Sequence, residues 1–279
     1  MRCISLEQIE LYRVYLIGEE RAKLTVEKYI RDIEAFFRYL NGSEVTKESV
    51  VEYKALLVEN YAAGSVNSML SSLMSFFSFL GWNELKVKSL KIQRRIFDSE
   101  EKELTKAEYQ RLLQAAKAKQ NERLYLLLQT VCSTGIRVSE LKHITVEAVM
   151  TEKAEISCKG KRRTVFLPEK LCKMLKRYIR ERKITSGPVF VTKNGKPLDR
   201  SNIWSDMKKL CATADVSEKK VFPHNLRHLF ARTYYSLQKD VVRLADILGH
   251  SSVNTTRIYT MESGETHRTQ LQKLGLLLC

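Results

Sequence analysis

Nowhere does this chain of 279 residues string together the roughly 18 apolar residues that a membrane-crossing helix needs, so no span is expected. The opening Met1-Arg2-Cys3-Ile4-Ser5-Leu6-Glu7 lacks the apolar core of a secretion signal, and the closing Leu274-Gly275-Leu276-Leu277-Leu278-Cys279 is too short to span. A cytoplasmic protein is the expectation. The six cysteines, Cys3, Cys132, Cys158, Cys172, Cys211 and Cys279, form no CxxC pair. The histidines His143, His224, His228, His250 and His267 stand at no ligand spacing from cysteine or carboxylate partners. A structural zinc is therefore not expected, and the cysteines read as buried or surface thiols. Carboxylates do not gather beside residues 224–259 as a two-metal nuclease would require. A phosphate-binding loop with its lysine and a kinase-like catalytic set are missing too. No metal and no cofactor are expected.

Positive charge is in surplus. Forty-eight Lys and Arg face 32 Asp and Glu, a formal net charge of +16 with a pI near 9.6, which points toward a polyanionic partner. A composition 44% apolar, at this length, is enough for two domains with real cores.

Taken in order, the chain begins as helices. Leu6 to Ile17 is apolar at helical spacing; Thr25 is placed to cap a second helix that ends at Asn41-Gly42; Thr46 opens a third, and Ser65 a fourth that stops at Gly81. Four helices with short loops make a small bundle. Phe36, Phe37, Phe76, Phe77 and Phe79 read as core filling rather than platforms for base stacking. Between residues 83 and 103 periodicity weakens and Lys86, Lys88, Lys91, Arg94 and Arg95 crowd together: a linker that lies near phosphates, or an ordinary solvated connector. Thr105 and Glu108 have capping-box spacing, so a second domain starts near residue 104.

The apolar helix Leu124 to Ser133 runs into Thr134-Gly135, a turn that presents Arg137. The period then shifts toward two. Ala154 to Cys158 and Arg163 to Leu167 read as strands joined by a basic turn, with Lys161, Arg162 and Arg163 at or beside its tip; the charge serves either solubility or phosphate contact. A basic helix from Leu171 to Arg182, a short strand Val189-Phe190-Val191, a turn at Asn194-Gly195 and a helix from Ile203 to Cys211 follow. The fold class expected is mainly α, a four-helix N-terminal domain followed by a mixed α/β domain with a small antiparallel sheet.

Two islands carry chemistry. In Phe222-Pro223-His224-Asn225-Leu226-Arg227-His228, His224 and Arg227 share a helix face, and Pro223 suits the helix's first turn. Gly249 suits the end of a helix over 240–248, leaving His250 just past it, with Tyr259 beyond. Upstream, Arg137 stands in Thr134-Gly135-Ile136-Arg137-Val138-Ser139-Glu140. Two arginines with histidines form a pocket for a planar oxyanion, because guanidinium forks pair with phosphate oxygens. The bland reading pairs Arg137 with Glu140 and leaves His224 as a helix cap.

In their order, these residues resemble the tyrosine recombinases, also called the phage integrase family, over nearly the whole chain. The resemblance implies a core-binding domain over 1–82, a linker over 83–103 and a catalytic domain over 104–279. It implies catalytic roles for Arg137, Lys159, His224, Arg227, His250 and the nucleophile Tyr259, with Glu140 in support; His228, by contrast, reads as structural or supporting rather than catalytic. Lys86, Lys88, Lys91, Arg94, Arg95, Lys161, Arg162 and Arg163 are the expected DNA contacts. The implied reaction cleaves and rejoins DNA through a 3′-phosphotyrosine, in integration or excision of a mobile element or in chromosome-dimer resolution. The implied partner is double-stranded DNA with paired half-sites, held by a homotetramer in the synapse, and the scheme allows an accessory directionality factor. No additional arm-binding domain is read before Ser5. A topoisomerase of type IB, or a catalytically silent DNA-binding regulator, are the alternatives.

Overall fold

The computed structural model describes residues 2–92, 103–158, 161–192, 194–259 and 272–273. The chain divides into two compact units, Met1–Arg94 and Arg95–Cys279, each with its own core.

The first unit is four helices, α1 (Leu6–Gly18), α2 (Lys23–Leu40), α3 (Lys47–Asn60) and α4 (Ala63–Phe79). Local chemistry fixes several of their ends. Ser5 with Gln8 and Thr46 with Ser49 close capping boxes on α1 and α3, and Asn41 ends α2 in the left-handed conformation at φ 45°. Thr25 and Ser65 do not cap; α2 and α4 start two residues earlier, after Ala22 and Ala62, which offer no side-chain hydrogen bond. Phe36, Phe76 and Phe77 are fully buried and, with Tyr12, Ile33 and Leu70, form the core. Stacking on bases is closed to those three rings.

The start of the basic stretch belongs physically to this unit. Leu85 is buried, and Val87 and Leu90 pack on the core. The side chains of Lys47 and Lys54 donate to the carbonyls of Glu84, Lys86 and Lys88, while Asn67 and Leu90 exchange two hydrogen bonds at 2.7 and 2.9 Å. Lys88 and Lys91 are exposed and Lys86 is half-buried; Arg94 and Arg95 lie outside the described residues.

The second unit opens with α5 (Lys106–Ala118), whose Thr105–Glu108 capping box forms as its spacing predicts. The apolar α6 (Glu122–Thr134) is the central helix, packed against α5, α8, α9 and α10. After it come a 3-10 turn (Val138–His143), α7 (Val146–Thr151), and the antiparallel hairpin β1 (Lys153–Cys158) and β2 (Lys161–Phe166), in register from Lys153 opposite Phe166 to Cys158 opposite Lys161. Then follow α8 (Glu169–Glu181), α9 (Arg200–Ala214), α10 (Pro223–Gln238), α11 (Val241–Leu248) and α12 (Val253–Thr256). The strand expected at 189–191 does not form. Val189 and Phe190 are buried, but nearby pairing is confined to the isolated bridges Thr145–Pro188 and Val191–Pro197. The sheet among the described residues is the two-stranded hairpin. No helix among them is long and apolar enough to cross a membrane.

Candidate active site

Four short stretches of the second unit supply the site: the exit from α6, strand β2, the first turns of α10, and the run from the end of α11 to Tyr259. The exit from α6 depends on Gly135. Its φ is +64°, and a Cβ there would lie 2.4 Å from the Phe230 ring, so both backbone and space require glycine. The sharp turn buries Ile136 and places Arg137 at the cap position just before the 3-10 turn.

Glu140 organises this end. Its carboxylate is buried at 2% exposure and accepts from the Arg137 amide at 2.8 Å, Arg137 Nη1 at 2.9 Å and Arg163 Nη2 at 2.6 Å. Burial pushes its pKa up, but the Arg137 amide and the charges of Arg163 and Arg137 outweigh that and hold the carboxyl below its ordinary value. Arg137 therefore does pair with Glu140, as the bland reading had it, yet more than a third of its side chain stays open, and Nη2 makes a long contact, 3.4 Å, to the Gly249 carbonyl.

Arg227, on the first turns of α10, is 2% exposed. It donates to the carbonyls of Gly135 and Leu248, the latter at 2.7 Å, and to His250 Nε2 at 3.1 Å. Burial and then the neighbouring charge of Arg137 push its pKa down to about 10, so it remains a cation at neutral pH. A buried cation without a full counter-ion is costly, and such a site favours an anion.

Gly249 ends α11 in the left-handed conformation, and the His250 amide turns back to the Ala245 carbonyl at 3.0 Å. A guanidinium only donates, so the nitrogen of His250 that faces Arg227 is an acceptor; the proton lies on Nδ1, which donates to Thr256 Oγ1 at 2.7 Å. Burial and then the charges of Arg227, Arg137 and Arg163 hold this imidazole down to about 4. It is neutral at physiological pH.

Tyr259 is 3% exposed and packs with Leu244, Leu248 and Ala231. Its ring stacks against His250 at 6.1 Å and meets His228 edge-on at 4.8 Å and 87°. Burial raises its pKa, opposed by the charge of Arg227, a hydrogen bond from it and the charge of Arg137. His224 lies one helical turn before His228, ring to ring at 4.4 Å, and is held below the ordinary imidazole value by lost hydration on its protein-facing side and by Arg227, Arg137 and Arg200.

Residues 9–84 match the N-terminal SAM-like domain of phage integrases, and residues 102–265 match the phage integrase family itself. The chain belongs to the phage integrase family of tyrosine recombinases. Tyrosine recombinase XerA of Pyrococcus furiosus is 30% identical over 282 residues, covering 97% of this chain and 95% of its own. The crystal structure of XerA recombinase aligns over 98% of this chain and 99% of that one, with a TM-score of 0.54 and 25% identity. A lambda integrase tetramer bound to a Holliday junction shares the fold at a TM-score of 0.72 and 19% identity, over 91% of this chain and 76% of that one.

In this tyrosine recombinase fold, Arg137, Glu140, His224, Arg227, His250 and Tyr259 come together; Lys159 lies outside the described residues. Of the expected DNA contacts on the hairpin, Arg162 is exposed and nothing is described of the Lys161 side chain. Arg163 corrects the sequence reading. Its side chain, 14% exposed, turns inward to Glu140 and to the carbonyl of Ile247 rather than outward to a phosphate. Sequence reasoning also set His228 aside, although its four-residue spacing from His224 already placed the two rings on one face; its ring meets those of both His224 and Tyr259. Among the described residues, no group of three His, Cys, Asp or Glu is placed to hold a metal ion.

Proposed function

We propose that this protein is a site-specific DNA recombinase that cleaves one strand with Tyr259 and rejoins it to a partner duplex. The observation that carries the reading is a phenol held against a buried arginine, with a second arginine on the same pocket, inside a catalytic domain homologous to the tyrosine recombinases. Tyr259 Oη forms the bond to phosphorus, the bond to the 5′-oxygen breaks, and a 3′-phosphotyrosine and a 5′-hydroxyl result. Arg137 and Arg227 neutralise the charge that builds on the nonbridging oxygens. Lys159 protonates the leaving 5′-oxygen, and His224 orients the phosphate or takes the phenolic proton. Tyr259 starts with a raised pKa, so it has to lose its proton as it attacks, not before. His250, an acceptor toward Arg227 as it stands, would have to exchange that partner or gain a proton before donating to a phosphate oxygen.

Energy is conserved in the phosphotyrosine bond, so the freed hydroxyl of a second duplex reverses the step without a nucleotide. Double-stranded DNA with paired half-sites is the substrate, and a homotetramer holding two duplexes is the working assembly, with an accessory directionality factor where one outcome must be favoured. The chemistry is common to mobile-element integration or excision and to chromosome-dimer resolution. In such an assembly a C-terminal tail carrying Met261, Leu271, Leu274, Leu276, Leu277 and Leu278 would dock on the neighbouring subunit; these six residues lie outside the described ones.

A suicide half-site, in which the cleaved strand's short product diffuses away, tests the reading. With excess EDTA present, the protein should become attached to the 3′ end through Tyr259, and Tyr259→Phe should bind the duplex but form no adduct. An adduct mapped to Tyr234 or Tyr235, or a strict need for magnesium, would overturn it.

A further inference from the structure

Arg163 stands outside the catalytic set, yet it touches two of the elements that carry that set. From β2 its guanidinium reaches Glu140 Oε2 through Nη2 at 2.6 Å, and its Nη1 donates to the Ile247 carbonyl in the last turn of α11. Cations are favoured at a helix C-terminus, where carbonyls lack partners. Gly249 makes room for the stem: a Cβ at that position would lie 2.7 Å from Arg163 Cδ, and its φ of +63° disfavours any other residue. The side chain is thus threaded between the turn that bears Arg137 and the helix end that precedes His250.

Its consequence is electrostatic. Glu140 is a buried carboxylate 2.9 Å from Arg137 and, left alone, would draw on the whole of that arginine's charge. With Arg163 on the other oxygen, the carboxylate is shared. Arg137, Arg163 and Arg227 together then face one carboxylate, which leaves two positive charges uncompensated for an incoming phosphodiester. The Ile247 contact fixes where that sharing happens, because it ties the hairpin to α11.

We propose that Arg163 is a positioning residue for strand cleavage: it neutralises Glu140 and locks it to the end of α11, so that Arg137 keeps its charge and orientation for the nonbridging oxygens of the scissile phosphate. The inference rests on the recombinase reading above. It accounts for a basic side chain on the hairpin that is turned away from solvent, and for the glycine at 249.

Single-turnover cleavage of two suicide half-sites tests it. One carries the ordinary scissile phosphodiester; the other carries a methylphosphonate, in which a neutral methyl replaces one nonbridging oxygen and removes the charge Arg137 is there to offset. Arg163→Met keeps the stem and deletes the fork. It should cleave the phosphodiester about tenfold more slowly than wild type or worse, and the methylphosphonate within about threefold of wild type. Arg163→Lys places one ammonium near Glu140 without a fork for Ile247, and should fall between the two on the phosphodiester. Equal losses on both substrates would reduce Arg163 to scaffold, and undiminished cleavage of the phosphodiester would remove its role; either result overturns the proposal. Should Arg163→Met fail to bind intact duplex, Arg163→Lys carries the same comparison, with a larger loss on the phosphodiester in support and equal losses against. If wild type cleaves neither substrate, the recombinase reading falls and this proposal falls with it.

Discussion

His250 shows how much a single side chain records about its surroundings. Arg227 can only donate, so the imidazole accepts from it and gives its one proton to Thr256. Burial strips water from the protonated ring, and protonating the second nitrogen would also place a cation against Arg227, with Arg137 and Arg163 near, so its pKa falls from 6.5 to about 4. Between those two values the unfolded chain binds the proton and the folded chain does not. Stability therefore falls as pH drops from 6.5 toward 4, and above 6.5 this residue adds no pH dependence. His224, also lowered, acts in the same direction. Thermal melts at pH values spaced through that window should show the melting temperature dropping, and His250→Asn should make the drop shallower without abolishing it. Identical slopes for wild type and variant would mean that His250 is not held neutral by its neighbours.

At the level of elements, the joint between α6 and the 3-10 turn leaves no room for a side chain at Gly135. Gly135→Ala would add a methyl 2.4 Å from the Phe230 ring and 3.1 Å from Leu248, at a backbone angle of +64°. A cost of about 1–3 kcal/mol is expected for such a conformation, before the displacement of Phe230. Because the Gly135 carbonyl also accepts from Arg227, cleavage should suffer beyond the stability loss. Urea melts and half-site cleavage measure the two effects, and a variant that is neutral in both would contradict the packing described. How far such joints could be read beforehand varied with their reach. The Thr105–Glu108 box and the Gly249 helix end were legible because their partners lie within a few residues. Helix starts at Lys23 and Ala63 were not, because Ala22 and Ala62 leave no capping mark and Thr25 and Ser65 are decoys inside the first turn. The apolar run 189–191 announced burial, and burial alone does not make a strand. That Arg137, His224, Arg227, His250 and Tyr259 gather in one place could be anticipated from their order along the chain. Arg163 could not, because its partner carbonyl is 84 residues away and a basic hairpin reads as solvated charge.

For the whole molecule, the surplus of positive charge is a statement about how binding should respond to salt. A protein that neutralises phosphates releases condensed counterions, so log K falls with log salt by about 0.9 for each phosphate contacted. The formal charge of +16 overstates what reaches solvent. Lys47 and Lys54 spend hydrogen bonds on main-chain carbonyls of their own unit, and Arg163 is committed to Glu140 and Ile247. Lys88, Lys91 and Arg162, by contrast, are exposed. Replacing Lys88 and Lys91 by alanine should therefore flatten the salt slope by about 2, if each meets one phosphate. Arg163→Met should weaken cleavage yet leave that slope unchanged, because the charge it removes is already paired inside the fold. Fluorescence anisotropy on a labelled duplex, titrated at several salt concentrations, separates these outcomes. A wild-type affinity that hardly moves across a several-fold range of salt would refute electrostatic binding altogether, and a slope that flattens in Arg163→Met as much as in the lysine variant would place that guanidinium on the DNA after all.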